Sequence, residues 1–328
     1  MRLPIFLLSA FCLLVITTTA QTDKALTEKP GTFEILGRTD YATTGGYTKA
    51  EMAGNLERIK NLVALVRQNP VLSDIKGFNG RARIHDISST SKCGYGVPAR
   101  VSFEFCSFFR NKAGNIVFNT IEPPCWSVYI NSINGTAISS VGFDSGKCMF
   151  AVPLNKKTLA PGIDVYDGEF FVIYDPSRPD YWIPVTVNEA FASAREFAAK
   201  EKDEYTFALN KQFLDKEWDE IPVADRDKPA YYGGNLSRVS SSPGYGGQDS
   251  LFPRIVKVNP AYWNKSLPKS AIQFITLHSV QNKDYLSKEL NECKGYWEKG
   301  SGSGCDLARF ELSYSLDDIR KLAALIGK

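Results

Sequence analysis

Apolar positions change period several times along the chain, and each change predicts an element. From Leu3 to Ile16 they run almost unbroken, interrupted only by Pro4 and Ser9. Residues 21–47 are polar and Gly/Thr-rich and read as a loose N-terminal segment. Thr48 then stands three residues before Glu51, the pairing of a capping box, and Met52, Leu56, Ile59, Val63 and Val66 follow at alternating steps of four and three. That spacing predicts an amphipathic helix with one buried stripe, stopped at Asn69-Pro70.

From Gly80 to Val187 the period falls to two. Val101, Phe103 and Phe105 alternate with Ser102, Glu104 and Cys106, and the turn NKAGN (111–115) makes 99–121 a hairpin. Further strand runs are CWSVYI (125–130), TAISSVGF (136–143), CMFAV (148–152) and EFFVIY (169–174). Thr186 and Glu189 form a second capping box before a helical region that runs to about Trp218, with Pro222 beyond it. After an irregular segment, 223–253, come strands RIVKV (254–258) and AIQFITLHS (271–279), a helix near 284–292, and ARFELSY (308–314) read as a strand. Ser315 caps a last helix, with Leu316, Ile319, Leu322, Ala323 and Ile326 on its buried face.

These elements predict an α+β fold. Residues 48–186 form an antiparallel sheet meander packed by the N-terminal amphipathic helix. Residues 187–328 form a mixed helical and strand C-terminal half that is either a second domain or an extension of the first.

The first run gains meaning from its flanks. Arg2 precedes it, and Thr18 and Ala20 stand where a signal peptidase reads small residues, so 1–20 is expected to be a cleavable signal peptide, cut near Ala20. About 14 apolar residues are too few to span a bilayer, and the remaining sequence holds no transmembrane run. Location is therefore expected to be secreted or periplasmic. A lipid anchor on Cys12 is rejected, because Phe11 precedes it where a small residue is required.

Composition is that of an ordinary globular protein, 43% hydrophobic and 23% charged, with a net charge of +3. No basic block or stripe appears, which excludes nucleic acid as the expected partner. Besides Cys12 there are six cysteines, Cys93, Cys106, Cys125, Cys148, Cys293 and Cys305. An even number in an exported chain reads as disulfides. Pairing is expected within the group 93–148 and between Cys293 and Cys305, which close a short Gly/Ser-rich loop. No CxxC occurs, so neither a zinc site nor a cofactor is implied.

Candidate chemistry is sparse. His85 adjoins Asp86, but neighbours on a strand point to opposite faces, so the carboxylate does not orient the ring. His278 likewise reads as a strand histidine. Glu104 and Glu169 sit in aromatic strand runs, where two carboxylates on one groove would serve as acid and base on a glycoside. Alternation alone explains both as solvated positions of a half-exposed sheet. No GxSxG elbow or P-loop is present, and the glycines of YYGG and GYGG do not lead a strand into a helix. The segment from 228 to 263 gathers Tyr231, Tyr232, Tyr245 and Trp263 as stacking surfaces for a carbohydrate or peptide. Sequons stand at Asn134, Asn235 and Asn264. The expectation is an exported, non-catalytic binding or envelope-associated protein. The alternative is an extracytoplasmic glycoside- or peptide-directed hydrolase with a carboxylate-based site.

Overall fold

The computed structural model describes residues 24–37, 46–86, 93–132, 139–141, 146–233, 239–241, 252–297 and 305–328, apart from the side chains of 86, 139, 140 and 293–297. The expected signal peptide lies outside them. In chain order the helices are α1 (Lys24–Thr27), α2 (Lys49–Val66), α3 (Pro70–Ser73), α4 (Val187–Ala198), α5 (Glu204–Glu220), α6 (Lys283–Trp297), α7 (Cys305–Ser313) and α8 (Leu316–Ala323). The strands of the larger sheet are β1 (Phe33–Leu36), β2 (Phe78–Asp86), β3 (Ala99–Arg110), β4 (Ile116–Phe118), β5 (Cys125–Ile130), β8 (Lys156–Ala160), β9 (Ile163–Tyr166), β10 (Phe170–Tyr174) and β15 (Phe274–His278). The smaller sheet holds β6 (Ser139–Ser140), β7 (Met149–Val152), β11 (Trp182–Pro184), β12 (Tyr231–Tyr232), β13 (Val239–Ser240) and β14 (Arg254–Val258). The fold is α+β.

The larger sheet runs β1-β2-β3-β5-β15-β10-β9-β8, with β4 on the outer part of β3. All its described pairings are antiparallel except β1 with β2. The smaller sheet runs β13-β12-β14-β7-β6, with β11 also on β14. Strand β15, from the C-terminal half, lies between β5 and β10 and joins two groups of strands formed far earlier in the chain.

Alternation along the strands sorts side chains into layers. One face of the larger sheet presents Val101, Phe103, Val128, Phe171, Ile173 and Ile275 to Ile59, Leu62 and Val63 of α2, Phe310 of α7 and Ile319 of α8. On β9, β10 and β15 the opposite face presents Tyr166, Phe170, Val172 and Phe274 to Phe150, Trp182 and Val256 of the smaller sheet. The far side of the smaller sheet buries Ala151 and Ile255 under Ala190, Phe191 and Ala194 of α4. The order of layers is thus helices, sheet, sheet, helices.

Both capping boxes form, Thr48 with Glu51 and Thr186 with Glu189, and Ser315 caps α8 with Asp318 reciprocating. Each satisfies two amide donors that the first helical turn leaves open. The α2 stripe is buried at Met52, Ile59, Val63 and Val66, with Leu62 added.

Some local readings need correction. ARFELSY is helical: Ala308, Phe310 and Glu311 are buried along α7, and Arg309 bonds back to Asp306 one turn earlier. Its alternation fits a strand, but Leu307, Phe310 and Tyr314 also sit at helical steps of three and four. In so short a run both periods fit, and packing of Phe310 on Phe105 and Trp126 decides. The N-terminal segment is not loose throughout, since β1 adds FEIL in parallel to the sheet edge. Of the 136–143 run only Ser139–Ser140 is described as strand.

Candidate functional site

The space between the two sheets holds the most polar chemistry. Asp164 is fully buried on β9, facing the same way as Tyr166, and a carboxylate taken out of water must be paired and hydrogen-bonded. It accepts from Thr158 Oγ1 at 2.6 Å and from the Tyr181 hydroxyl at 2.7 Å, and Lys156 Nζ approaches it at 2.7 Å. Register explains the lysine: Lys156 on β8 lies directly opposite Tyr166 on β9. The Tyr166 and Tyr181 hydroxyls are 2.9 Å apart. Tyr181 gives its single proton to Asp164, so Tyr166 is the donor in that contact.

Beside this network lies a cavity of about 190 Å³, lined in part by Tyr166, Tyr181, Trp182, Asp180 and Arg254. The rings are packed against one another, Tyr166 and Trp182 with centroids 5.3 Å apart and Tyr181 and Trp182 4.8 Å apart. Trp182 sits on β11 opposite Val258 of β14, and Arg254 opens β14 opposite Val152 of β7. Trp182 is 8% exposed, and its buried Nε1 has no hydrogen-bond partner among the described residues. Arg254 and Asp180 are exposed and make no ion pair among the described residues.

Burial pushes the Tyr166 and Tyr181 phenols well above their ordinary range, with the Asp164 charge adding to it. Both therefore stay protonated at physiological pH. They serve as donors and packing surface, not as bases.

The residues singled out in the sequence fall in several places. Tyr231, on β12, is buried and stacks under the Arg254 guanidinium, 5.8 Å from ring centre to Cζ. It reaches the cavity through that arginine. Tyr232 packs against the core under α4. Trp263 is buried beside a second cavity, and Tyr245 lies outside the described residues.

Glu104 is buried and paired with Arg83 through both carboxylate oxygens, rather than solvated as alternation suggested. Glu169 faces His278 at 3.2 Å. Three strand spacings separate β3 from β10, roughly 14 Å, which exceeds the separation of a glycosidase carboxylate pair. Those two residues are not an acid–base couple. His85 lies opposite Arg100 on β3, and burial and Arg100 lower its pKa. Among the described residues, no group of three or more His, Cys, Asp or Glu could hold a metal ion.

Cys93 and Cys148 form a disulfide. Cys106 and Cys125 do not pair, contrary to the expectation from cysteine count. Glu104 is the residue directly opposite Cys125, so Cys106 is its diagonal neighbour. Diagonal positions are about 7–8 Å apart, beyond the usual reach of a bridge. Pairing of Cys293 with Cys305 involves a side chain outside the described residues. So do the sequons at Asn134 and Asn235; Asn264 is described, and its Oδ1 accepts from Ser266 Oγ at 2.7 Å.

Lys156, Asp164, Tyr166, Tyr181, Trp182 and Arg254 were not singled out in the sequence. One signal was available: Asp164 in IDVY is a lone charge at an inward position of an apolar strand. No family model, no curated protein and no solved structure matches this chain.

Proposed function

We propose that this is an exported, non-catalytic binding protein that holds one ring of a neutral saccharide in the cavity between its sheets. The observation that carries the reading is the convergence of three packed aromatic rings, a guanidinium and a carboxylate on one small cavity. A sugar ring is apolar on its faces and ringed with hydroxyls that both donate and accept. Tyr166, Tyr181 and Trp182 meet the first property, and Arg254 and Asp180 meet the second. At about 190 Å³ the cavity lies below the size that holds drug-like ligands, roughly 300–1,000 Å³. One ring enters and the rest of a chain stays outside.

The non-catalytic reading is supported by the separation of Glu104 from Glu169. Export is supported by the Cys93–Cys148 bridge, since disulfides persist in oxidising compartments. In addition, no helix among the described residues is long and apolar enough to cross a membrane. The N-terminal mass of protein recovered from its native source tests export: a chain beginning near Gln21 is expected, and an intact Met1 opposes it.

Calorimetric titration with glucose, galactose, N-acetylglucosamine and their disaccharides tests the ligand. Binding by at least one is expected, weakened about tenfold by Arg254→Gln, the loss of one charged hydrogen bond. No binding across the panel, or equal binding by the variant, overturns the proposal.

A further inference from the structure

A second cavity, of about 330 Å³, opens at the other end of the same face of β14. Val256 lines the first cavity and Val258 the second, and alternation puts both on one side of the strand. The second cavity differs in character. The Cys93–Cys148 bridge and Trp263 form part of its wall, Lys147 and Lys265 supply its charge, and no carboxylate among the described residues lines it.

Its wall is firmly held. Arg178 donates to the carbonyls of Ala261, Tyr262 and Trp263, and Gln273 bonds the backbone of Asn264 through both ends of its amide. Across the cavity the disulfide ties Gly94 and Tyr95 to the start of β7. A Cβ on Gly94 would come within 3.2 Å of the Trp263 ring, so glycine permits this close approach. The Tyr95 hydroxyl is committed to the Lys265 carbonyl at 3.0 Å. Lys147 is paired with Glu196 at 2.7 Å. One feature remains open: the Lys265 ammonium, which is exposed and makes no ion pair among the described residues.

An exposed ammonium without an ion pair, on a cavity walled by Trp263, Val258 and Pro260, sets a charge beside apolar surface. We infer that this cavity binds a small organic carboxylate carrying an apolar ring. The ring lies against Trp263, Val258 and Pro260, and the carboxylate faces Lys265. A neutral ligand leaves the lysine charge unanswered, and an inorganic anion leaves the indole and proline surface bare.

The experiment follows indole N–H resonances of ¹⁵N-labelled protein, purified with its disulfide intact, while benzoate is added. Benzyl alcohol and acetate serve as the uncharged and ringless controls. Benzoate is expected to shift the Trp263 resonance, assigned through Trp263→Phe, with at least tenfold weaker responses to both controls. Lys265→Gln, an exposed substitution that leaves the core intact, is expected to weaken benzoate about tenfold. Cys93→Ser with Cys148→Ser is expected to weaken it as well, because the wall then loses its tie. An unmoved Trp263 resonance at millimolar benzoate, an equal response to benzyl alcohol or acetate, or an unchanged affinity in Lys265→Gln overturns the inference. Saccharide binding at the first cavity does not enter this readout, so the two sites stand or fall separately.

Discussion

Strands β9, β10 and β15 face two different worlds. Toward α2, α7 and α8 they present Ile163, Val165, Phe171, Ile173, Ile275 and Leu277, a surface with no polar side-chain atom. Toward the smaller sheet the alternate residues are Asp164, Tyr166, Phe170, Val172 and Phe274. Unpartnered buried atoms occur on both sides: Trp126 Nε1 and the Tyr314 hydroxyl in the helix-covered core, Trp182 and Trp263 Nε1 between the sheets. Only the second pair belongs to residues that line the two cavities described above. The lesson is that a buried unmet donor does not by itself mark a site; what marks it is a cavity with rings and charged groups on its wall. One side holds the fold together by area, the other by particular hydrogen bonds.

Substitutions on the two sides are therefore expected to fail differently. The largest effect is on the helix side: Phe171→Ala removes a buried ring and is expected to cost about 4 kcal/mol, read as a shift in the denaturant midpoint, with saccharide affinity of the folded fraction unchanged. Between the sheets, Asp164→Ala strands the hydroxyls of Thr158 and Tyr181 and is expected to cost about 3 kcal/mol. It is also expected to weaken the saccharide, since Tyr181 loses the acceptor that fixes it. Equal saccharide affinity in both variants would erase the distinction.

Two buried carboxylates of α7 are exceptions on the helix side: Asp306, and Glu311, which is pushed up to about 7, chiefly by burial and further by Glu289 and Glu169. The folded pKa of Glu311 lies above the unfolded value, so the folded state takes up a proton first as pH falls from about 8 toward 4, and stability rises over that window. Glu311→Gln is expected to gain about 2 kcal/mol at pH 8 and nothing at pH 4. Denaturation at the two pH values measures it. The smallest expected stability change is that of Trp182→Phe, which keeps an aromatic ring and costs less than about 1 kcal/mol. That variant is nevertheless expected to weaken saccharide binding several-fold.

How much of this could be read in advance depended on range along the chain. The caps at Thr48, Thr186 and Ser315 were legible because capping is settled within four residues. Strands such as 125–130 and 148–152 were legible from local composition. Segment 308–314 was misread because two periods fit seven residues equally well, and the contact that decides, packing of Phe310 on Phe105 and Trp126, comes from distant strands. The first cavity was largely illegible for a related reason: Lys156, Tyr166, Trp182 and Arg254 arrive from β8, β9, β11 and β14, and none is unusual where it stands. Trp263 was singled out as a stacking surface; it is buried and lines the wall of the second cavity.

The place of β15 sets an order of events for the growing polypeptide. Until residues 274–278 emerge, β5 and β10 each end in an unsatisfied row of amides and carbonyls, and the larger sheet exists only as two fragments with no shared edge. Closing it takes contacts between residues a hundred or more positions apart, the kind that form late and slowly. A chain made N-terminus first exposes both raw edges before the strand that seals them is available. Shielding during that interval matters as much as the strength of the finished core.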